Sequence, residues 1–506
     1  MSLDPTKIAI ESHTPPIWER EEDFSEVMSD QLKHAPWLII SVIAHLIAGV
    51  ILYMALDGVR ETRQDLAMNM DIPDPEDEIE EEEEEEEEVV EEEVEEVEVQ
   101  EIEVTETDVV DENVIDESDA DSVESAFDSN QWNTAVGLGG GAGGKWGGRR
   151  GGRKALRGKK RGTARAIDLG LQWLKNHQDK DGKWDCDGFM KHDINGEACD
   201  GAGNPVHDVG CTALALLAFL GDGSTMRSGP YKDPVKKAVI WLRRQQGPNG
   251  LYGMNASHDF IYDHAIAAYA MCEAYGLSKY KIIKKNAQNG INYLEMHRNP
   301  YSCWRYQPRD NDNDSSVTGW CIMAYKSAKD FKLQVNAQAL KISANFLDEL
   351  TDPATGRCGY TKRGEKSSRH PGDHSTRFPI EKGEALTAVG LFCRFFLGQD
   401  PKKVANMKAA AETLMQRPPV WDKDGSIDHY YWYYATYALY QMGGNYWTEW
   451  SKKLTPAVVK TQREDGNYKG SWDAIGAWGE DGGRVYSTAT LVLTLEAYYR
   501  YTRLVR

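Results

Sequence analysis

The sequence predicts an all-α protein: an (α/α)6 toroid of six helical hairpins, preceded by one transmembrane helix and a disordered acidic linker. Three observations lead to this prediction. A stretch of 21 residues near the N-terminus carries no formal charge, a long acidic run follows it, and the C-terminal two-thirds of the chain repeat a pair of helical patterns six times. The 506 residues are enough for two or three domains.

The first element is a membrane anchor. Residues 1–35 are polar and are expected to form an N-terminal tail, whereas residues 36–56 can cross a hydrocarbon core of ~30 Å as one helix. Trp37 and Tyr53 lie near the ends of this segment, where amphipathic rings favour the membrane interface. A cleaved signal peptide is disfavoured by the long polar leader. The sequence therefore predicts a single-pass protein with the lipid bilayer as a partner.

A charged linker follows the anchor. Residues 71–128 contain 32 acidic residues and no Lys or Arg, so this segment accounts for the negative net charge of the whole chain, −23, and the rest of the chain is net positive. Like charges repel and cannot pack, so residues 57–136 are predicted to be a disordered tether. Residues 137–162 are rich in Gly, Arg and Lys and are predicted to be a flexible linker. Nucleic acid is not an expected partner, because no aromatic-rich binding fold accompanies the basic residues.

The domain from residue 163 to residue 506 consists of six repeats, each an amphipathic helix, a turn and a more apolar helix. An almost wholly apolar helix is typical of one that is buried on nearly all sides. We therefore expect six inner helices surrounded by six outer helices. The predicted outer helices span 163–177, 233–246, 281–296, 335–350, 402–416 and 448–463. The predicted inner helices span 208–221, 262–276, 315–329, 382–397, 429–442 and 485–501.

Three of the turns within the repeats share the pattern Gln-x3-Gly-x-aromatic, in which Gly permits a turn conformation that a side chain opposes. The residues are Gln178, Gly182 and Trp184; Gln246, Gly250 and Tyr252; and Gln462, Gly466 and Tyr468. The pattern resembles the QW motif of the terpene cyclase and protein prenyltransferase repeat superfamily. The resemblance covers about residues 163–506 and implies that these residues fasten the fold.

In that superfamily, activity resides where the N-terminal ends of the inner helices meet at one mouth of the toroid. The residues at the corresponding positions here are Asp208, Asp263, His264, Asp428 and His429. Each Asp can also be a helix cap, because a carboxylate in the first turn accepts from free backbone N–H groups. The alternative is that these side chains face one another across the mouth and hold an electrophile, a metal or a basic ligand.

The sequence contains partial matches to the active-site motifs of two enzyme classes of the superfamily. Cyclases of the squalene–hopene type donate a proton from an Asp-x-Asp-Asp-Thr signature. The similar segment here makes Asp312 and Asp314 the candidate catalytic residues, but it lacks the second adjacent Asp. Protein prenyltransferases bind zinc through Asp, Cys and His, which suggests Asp208 and Cys211, completed by His264 or by His429, although the Asp–Cys spacing departs from theirs. No cofactor is expected, with zinc as the alternative. The eight cysteines form no CxxC pair.

The anchor has a resemblance of its own. Ser41 and His45 are four residues apart and would share one face of the helix, as in the transmembrane helix of TonB-type energy transducers. An ionisable residue inside a bilayer is costly and indicates a function. The resemblance implies ExbB/ExbD-like membrane subunits as partners, an inner-membrane location and a toroid on the periplasmic side. A polar pair used for helix packing is the alternative.

Together these patterns favour a membrane-anchored toroid that is a binding or interaction module for a hydrophobic or peptide ligand, with coupling to an ExbB/ExbD-type motor as an additional hypothesis. The alternative is an isoprenoid-processing enzyme, either terpene cyclase-like or zinc prenyltransferase-like.

Overall fold

The computed structural model describes residues 148–194 and 196–501. The predicted tail (1–35), transmembrane helix (36–56) with Ser41 and His45, and tether (57–136) lie outside the described residues. Within the described part of the chain, none of the helices combines the length and the apolar character needed to cross a bilayer.

The described residues form helices joined by turns and loops, and their only β-type pairings are two isolated bridges. The first helices are α1 (Gly148–Lys159), α2 (Arg161–Asn176), α3 (Asp208–Gly221), α4 (Lys232–Gln245), α5 (Phe260–Ser278), α6 (Lys284–His297) and α7 (Ser315–Asp330). The remaining helices are α8 (Ala337–Leu350), the short α9 (Asp373–Arg377), α10 (Ala385–Phe396), α11 (Ala405–Met415), α12 (His429–Met442), α13 (Gly444–Val458) and α14 (Gly479–Leu495).

Six of these helices form a closed inner ring. In chain order α3, α5, α7, α10, α12 and α14 each contact the next, and α14 contacts α3. The outer helices α4, α6, α8, α11 and α13 each pack against the inner helix that precedes them in the chain, whereas α2 packs against α14. The first outer helix therefore covers the last inner helix, and the fold is an all-α toroid.

Burial explains the division into inner and outer helices. In α3 every residue from Val209 to Gly221 is buried, because the helix has neighbours on all sides. In α4 the buried residues are confined to one side, and the basic residues Arg243 and Arg244 lie in its last turn, where positive charge favours the helix dipole. The predicted inner and outer sets are therefore the observed ones, with ends shifted by a few residues.

The last inner helix shows a larger shift. It begins at Gly479, earlier than predicted, because Glu480 and Asp481 provide negative charge in its first turn. Gly483 interrupts it with a φ of +65°. The sequence did not predict this early start, because Gly482 and Gly483 lie in the first part of the helix and glycine is a poor helix former.

The basic linker also differs from the prediction. Residues 148–159, which lie in the predicted flexible linker 137–162, form α1, and α1 packs against α2. Arg149 is buried and donates to both carboxylate oxygens of Glu273, at 3.0 and 3.1 Å. Arg153 is also buried and donates to Asp222 at 2.6 Å. These basic side chains therefore belong to the core of the toroid.

The C-terminal ends of the inner helices are closed by a buried ionic network around Glu273. Arg500 donates to Glu273 at 2.8 Å and to Glu496 at 3.1 Å, and Tyr269 donates to Glu273 at 3.0 Å. Burial alone would raise the pKa of Glu273, but the positive charges of Arg149 and Arg500 hold that pKa below its usual value. The network joins α1, α5 and the segment after α14 through buried hydrogen bonds.

The Gln side chains of the three turns join successive outer helices. Each side-chain amide donates to the carbonyl of a turn glycine and to a carbonyl near the start of another outer helix. The acceptors are Gly182 (2.9 Å) and Pro234 (3.0 Å) for Gln178, Gly250 (3.2 Å) and Asn286 (2.9 Å) for Gln246, and Gly470 (2.9 Å) and Ala166 (2.8 Å) for Gln462. Because Ala166 belongs to α2, Gln462 links the last repeat to the first and closes the outer ring.

The third turn uses different residues from those predicted. Gly470 takes the place expected for Gly466: it has a φ of +99°, and a Cβ there would lie 2.2 Å from the carbonyl oxygen of Leu169. Trp472 takes the place expected for Tyr468, because its Nε1 donates to the carbonyl of Val458 at 2.7 Å, as the indole of Trp184 does to Leu174 in the first turn. The third turn has four more residues between its Gln and its glycine than the other two turns have. The Gln-x3-Gly spacing in the sequence therefore indicated Gly466 instead of Gly470.

Candidate functional site

A cavity of about 440 Å³ opens at the end of the toroid where the inner helices begin. Every inner helix contributes a lining residue from its first turn: Gly210, Asp263, Ser316, Ala385, Tyr430 and Gly482. The cavity thus lies at the end of the ring where the mouth was expected, but of the five expected mouth residues only Asp263 is in its lining. Its size is in the range of small-molecule sites.

Aromatic rings form much of the cavity wall. The aromatic lining residues are Tyr262, Tyr306, Trp320, Tyr360, Tyr430, Tyr433, Trp478 and Tyr486, and aliphatic side chains such as Leu214, Ile266 and Leu493 join them. The indole of Trp320 lies nearly parallel to the ring of Tyr433, with centroids 6.1 Å apart. Such a wall favours flat apolar groups, and its π faces also attract cations.

One ion pair at the mouth joins His207 to Asp263. The Nδ1 atom of His207 donates to the carboxylate of Asp263 at 3.1 Å, and Asp259 lies 3.9 Å from the other ring nitrogen. Burial lowers the pKa of His207, but the hydrogen bond and charge of Asp263 outweigh it and raise this pKa to about 9. His207 is therefore positively charged at neutral pH, and the carboxylate of Asp263 is paired with it.

The two candidate catalytic residues lie outside the cavity lining. Asp314 is fully buried and caps α7, because one of its oxygens accepts from the backbone N–H of Val317 at 2.7 Å. Burial raises the pKa of Asp314 to about 7. Asp312 is exposed and pairs with Arg305, whose Nε lies 3.5 Å from Asp314. The structure thus places Arg305, and neither carboxylate, at the cavity wall.

Asp428 also forms an ion pair with an arginine from a loop, Arg369. It caps α12 by accepting from the backbone N–H of Tyr431 at 3.0 Å, and it forms a buried ion pair with Arg369 at 2.8 Å. Arg369 lines the cavity, with its guanidinium 5.9 Å from the centre of the Trp478 ring. His429 is buried away from the cavity, and burial lowers its pKa to about 3.

The predicted zinc ligands are not brought together as a ligand set. Asp208 accepts from the ammonium of Lys183 at 2.7 Å and from the backbone N–H of Cys186 at 2.9 Å. Cys211 lines the cavity, and its thiol donates to the carbonyl of Gly482 at 3.5 Å. Both ring nitrogens of His264 are occupied by backbone groups, so none of the three presents a free ligand atom to the others.

His264 instead fastens the second repeat. Its Nδ1 accepts from the backbone N–H of Tyr252 at 3.0 Å, and its Nε2 donates to the carbonyl of Gly290 at 3.1 Å. In the first repeat the backbone N–H of Trp184 donates in the same way to the hydroxyl of Thr212, at 2.9 Å. Burial lowers the pKa of His264 to about 3, which keeps the ring neutral.

Several lining residues could not be identified from the sequence. Arg305, Arg369 and Trp478 lie in loops without a repeated motif, and only folding brings them to the mouth. Tyr430 and Tyr433 had a detectable signal, because residues three apart share one face of a helix. The first turn of each inner helix predicted where the mouth lies but not which of its side chains face the cavity.

No protein-family model matches the chain, and neither does any curated protein. Solved structures with a similar arrangement include the type II terpene cyclase MstE from Scytonema, at 14% identity and a TM-score of 0.44, with 66% of this chain and 97% of that chain covered. An inactive variant of the α-1,6-mannanase GH76A from Salegentibacter sp., bound to α-1,6-mannotriose, shares 10% identity at a TM-score of 0.45, with 66% of this chain and 98% of that chain covered. At such identities and TM-scores the likeness assigns no activity to the chain.

Proposed function

We propose that the toroid is a binding module that receives an apolar or aromatic group of a ligand in the mouth cavity. The observation that carries this proposal is the cavity of about 440 Å³ with eight aromatic residues in its lining. A ligand group that enters this space leaves water for an apolar surface, and this transfer provides the driving force for binding.

The partners of the acidic residues support binding over catalysis. Asp208, Asp263 and Asp428 each form an ion pair with a basic side chain, and Asp314 caps a helix. A general acid or base must reach the reacting atom of a substrate. Of these four carboxylates only Asp263 lines the cavity, and His207 occupies it.

The lining contains both positive and negative side chains, so the charge that a ligand's polar end carries must be determined by experiment. His207, Arg305 and Arg369 bring positive charge to the lining, and Asp259, Asp263 and Asp481 bring negative charge. Two probes with the same aromatic body and opposite charge, naphthalene-2-sulfonate and 2-naphthyltrimethylammonium, would report which sign the mouth accepts.

Saturation-transfer difference NMR of the full chain in lipid nanodiscs tests the proposal, with empty nanodiscs as background. We expect at least one naphthalene probe to bind, and binding to be lost in Ala385→Trp and Leu214→Trp, which fill the cavity. Val420→Trp, which adds the same side chain at an exposed position, is the matched control and should bind as the wild type does. Failure of both probes to bind the wild type, or equal binding by all variants, would reject the proposal.

A second function, isoprenoid processing, is favoured by one observation. The pKa of Asp314 is about 7, so this carboxyl group is partly protonated at neutral pH and could donate a proton. Arg305, which adjoins Asp314, belongs to the cavity lining. Incubation of the full chain with squalene or geranylgeranyl diphosphate tests this function: turnover that disappears in Asp314→Asn would replace the binding proposal, and no turnover would reject the enzyme.

For the remainder of the chain we propose, on the sequence alone, a single-pass anchor at residues 36–56 in an inner membrane with the toroid on the periplasmic side. The Ser41 and His45 pair supports an interaction with ExbB/ExbD-like subunits, because both residues would lie on one helix face. Affinity purification of the full chain should recover such subunits. Equal recovery with His45→Ala would count against the role of this pair.

A further inference from the structure

Three side chains of different chemical type meet beside the loop between α2 and α3. His177 follows the end of α2, and Asp193 and Cys199 lie in the loop. One ligand atom from each residue, a ring nitrogen, a carboxylate oxygen and the Sγ, lies within 4.8 Å of the others. The side chains of His177 and Asp193 are 5% and 7% exposed, and Cys199 is buried. We name this cluster the loop site.

The hydrogen bonds of His177 determine which ring nitrogen is available. Its Nδ1 lies 2.7 Å from the carbonyl oxygen of Trp173, and a carbonyl can only accept, so Nδ1 carries a hydrogen. Its Nε2 lies 3.1 Å from Oδ1 of Asp193. In a neutral ring Nε2 and Oδ1 would both be acceptors facing each other at that distance. A cation between them, either a proton or a metal ion, resolves the conflict.

Neighbouring groups hold His177 and Asp193 in fixed orientations, as the hydrogen-bond partners of metal ligands do in known metal sites. Metal-binding histidines commonly donate their other ring N–H to a backbone carbonyl, which is what His177 does. The imidazole is stacked on Trp173 with centroids 4.0 Å apart, so its orientation is fixed. The second carboxylate oxygen of Asp193 accepts from the backbone N–H of Cys199 at 2.6 Å, which holds the carboxylate and the cysteine together.

The ligand types discriminate between metals. A nitrogen, a sulfur and an oxygen donor suit zinc and similar transition metals, whereas magnesium and calcium take oxygen ligands. We infer that the loop site binds one divalent transition metal of the zinc class through Nε2 of His177, the carboxylate of Asp193 and Sγ of Cys199. The three protein ligands leave one tetrahedral position for a water molecule.

A metal in the loop site would fasten the loop to the end of α2. The same loop continues to Asp200, which pairs with Arg484 of α14, and to His207 in the cavity lining. Its position therefore affects both ring closure and the mouth. This role does not rest on the proposed ligand, because the loop site is separate from the cavity lining.

Metal analysis of the purified full chain, prepared without chelator and dialysed after zinc addition, tests the inference. We expect about one zinc per chain in the wild type and less than about a tenth of that in Cys199→Ala and Asp193→Asn. Cys272→Ala is the matched control, because Cys272 is also buried but lies in α5 away from the loop site. It should retain the metal.

Cobalt substitution provides a spectroscopic reading in addition to the metal content. Cobalt added to the metal-free wild type should give tetrahedral d–d bands and a near-ultraviolet thiolate-to-metal band, and the latter should be absent in Cys199→Ala. The inference is overturned if the wild type retains less than about a tenth of an equivalent of zinc and shows no thiolate band. It is equally overturned if Cys199→Ala keeps both the zinc and the band.

Discussion

Aspartates near the starts of the inner helices have different partners at the mouth: Asp263 is the fourth residue of α5, whereas Asp314 and Asp428 immediately precede α7 and α12. Asp263 and His207 form an ion pair within the cavity lining, whereas Asp314 and Asp428 accept from backbone N–H groups and lie behind the loop arginines Arg305 and Arg369. The sequence showed that acidic residues begin the inner helices. It could not show their partners, because those come from loops that are distant in the chain.

The pairing of His207 with Asp263 makes stability depend on pH. The pKa of His207 is about 9 in the folded chain and about 6.5 in an unfolded one, so its stabilising effect is complete below pH 6.5 and is lost as the pH rises through 9. Between about pH 6 and about pH 10 the wild type should therefore lose about 3 kcal/mol of unfolding free energy relative to His207→Asn. Urea unfolding at several pH values measures this difference.

Asp263→Asn is the companion variant for this measurement. It removes the partner and should flatten the same pH dependence while His207 remains in place. A His207→Asn chain with the same slope as the wild type over this range would show that the ion pair does not contribute to stability.

At the level of elements, the apolar inner helices and the first two turns followed directly from the sequence. The inner helices were predictable because their burial demands apolar residues along their whole length. The third turn was placed at Gly466 instead of Gly470, because the Gln-x3-Gly spacing occurs there by coincidence in a longer turn. Helix α1 was missed because its glycine-rich sequence has low helix propensity, and the contacts of Arg149 and Arg153 hold it.

The two glycines of the third turn provide a matched pair of variants. Gly470→Ala should destabilise the chain by more than about 2 kcal/mol, because a Cβ would clash with the carbonyl of Leu169 and the φ of +99° opposes a side chain. Gly466→Ala meets no atom within 4 Å and should cost about 1 kcal/mol from its φ of +47° alone. Thermal or urea unfolding compares the two.

If Gly466→Ala were the more destabilising variant, Gly466 and not Gly470 would be the glycine that corresponds to Gly182 and Gly250. The hydrogen bond from Gln462 to Gly470 would then not be equivalent to the bonds in the first two turns.

For the whole molecule, the sequence predicted a ring of paired helices and a domain that starts at residue 163. Residue 163 was the expected boundary, whereas Arg149 and Arg153 of α1 already belong to the buried core. A long-range ionic network leaves no local pattern in a sequence. The closed end of the ring therefore became evident only from the structure.

A chain shortened to begin at residue 160 tests the role of α1. Because it lacks Arg149, Glu273 loses one of its two buried arginine partners, and we expect a loss of about 3 kcal/mol or more relative to a chain that begins at residue 145. Urea unfolding of both chains measures the difference. Equal stability would mean that α1 is dispensable and that the boundary predicted at residue 163 is the correct one.

The claim that the mouth of the toroid is an open, aromatic-lined binding cavity is tested most directly by a crystal structure of the chain soaked with the naphthalene probes. We predict electron density for one naphthalene ring among Trp320, Tyr430 and Tyr433, with its charged end directed toward the side chains of the rim. A mouth filled by its own side chains, or a naphthalene ring bound only elsewhere on the surface, would contradict the account.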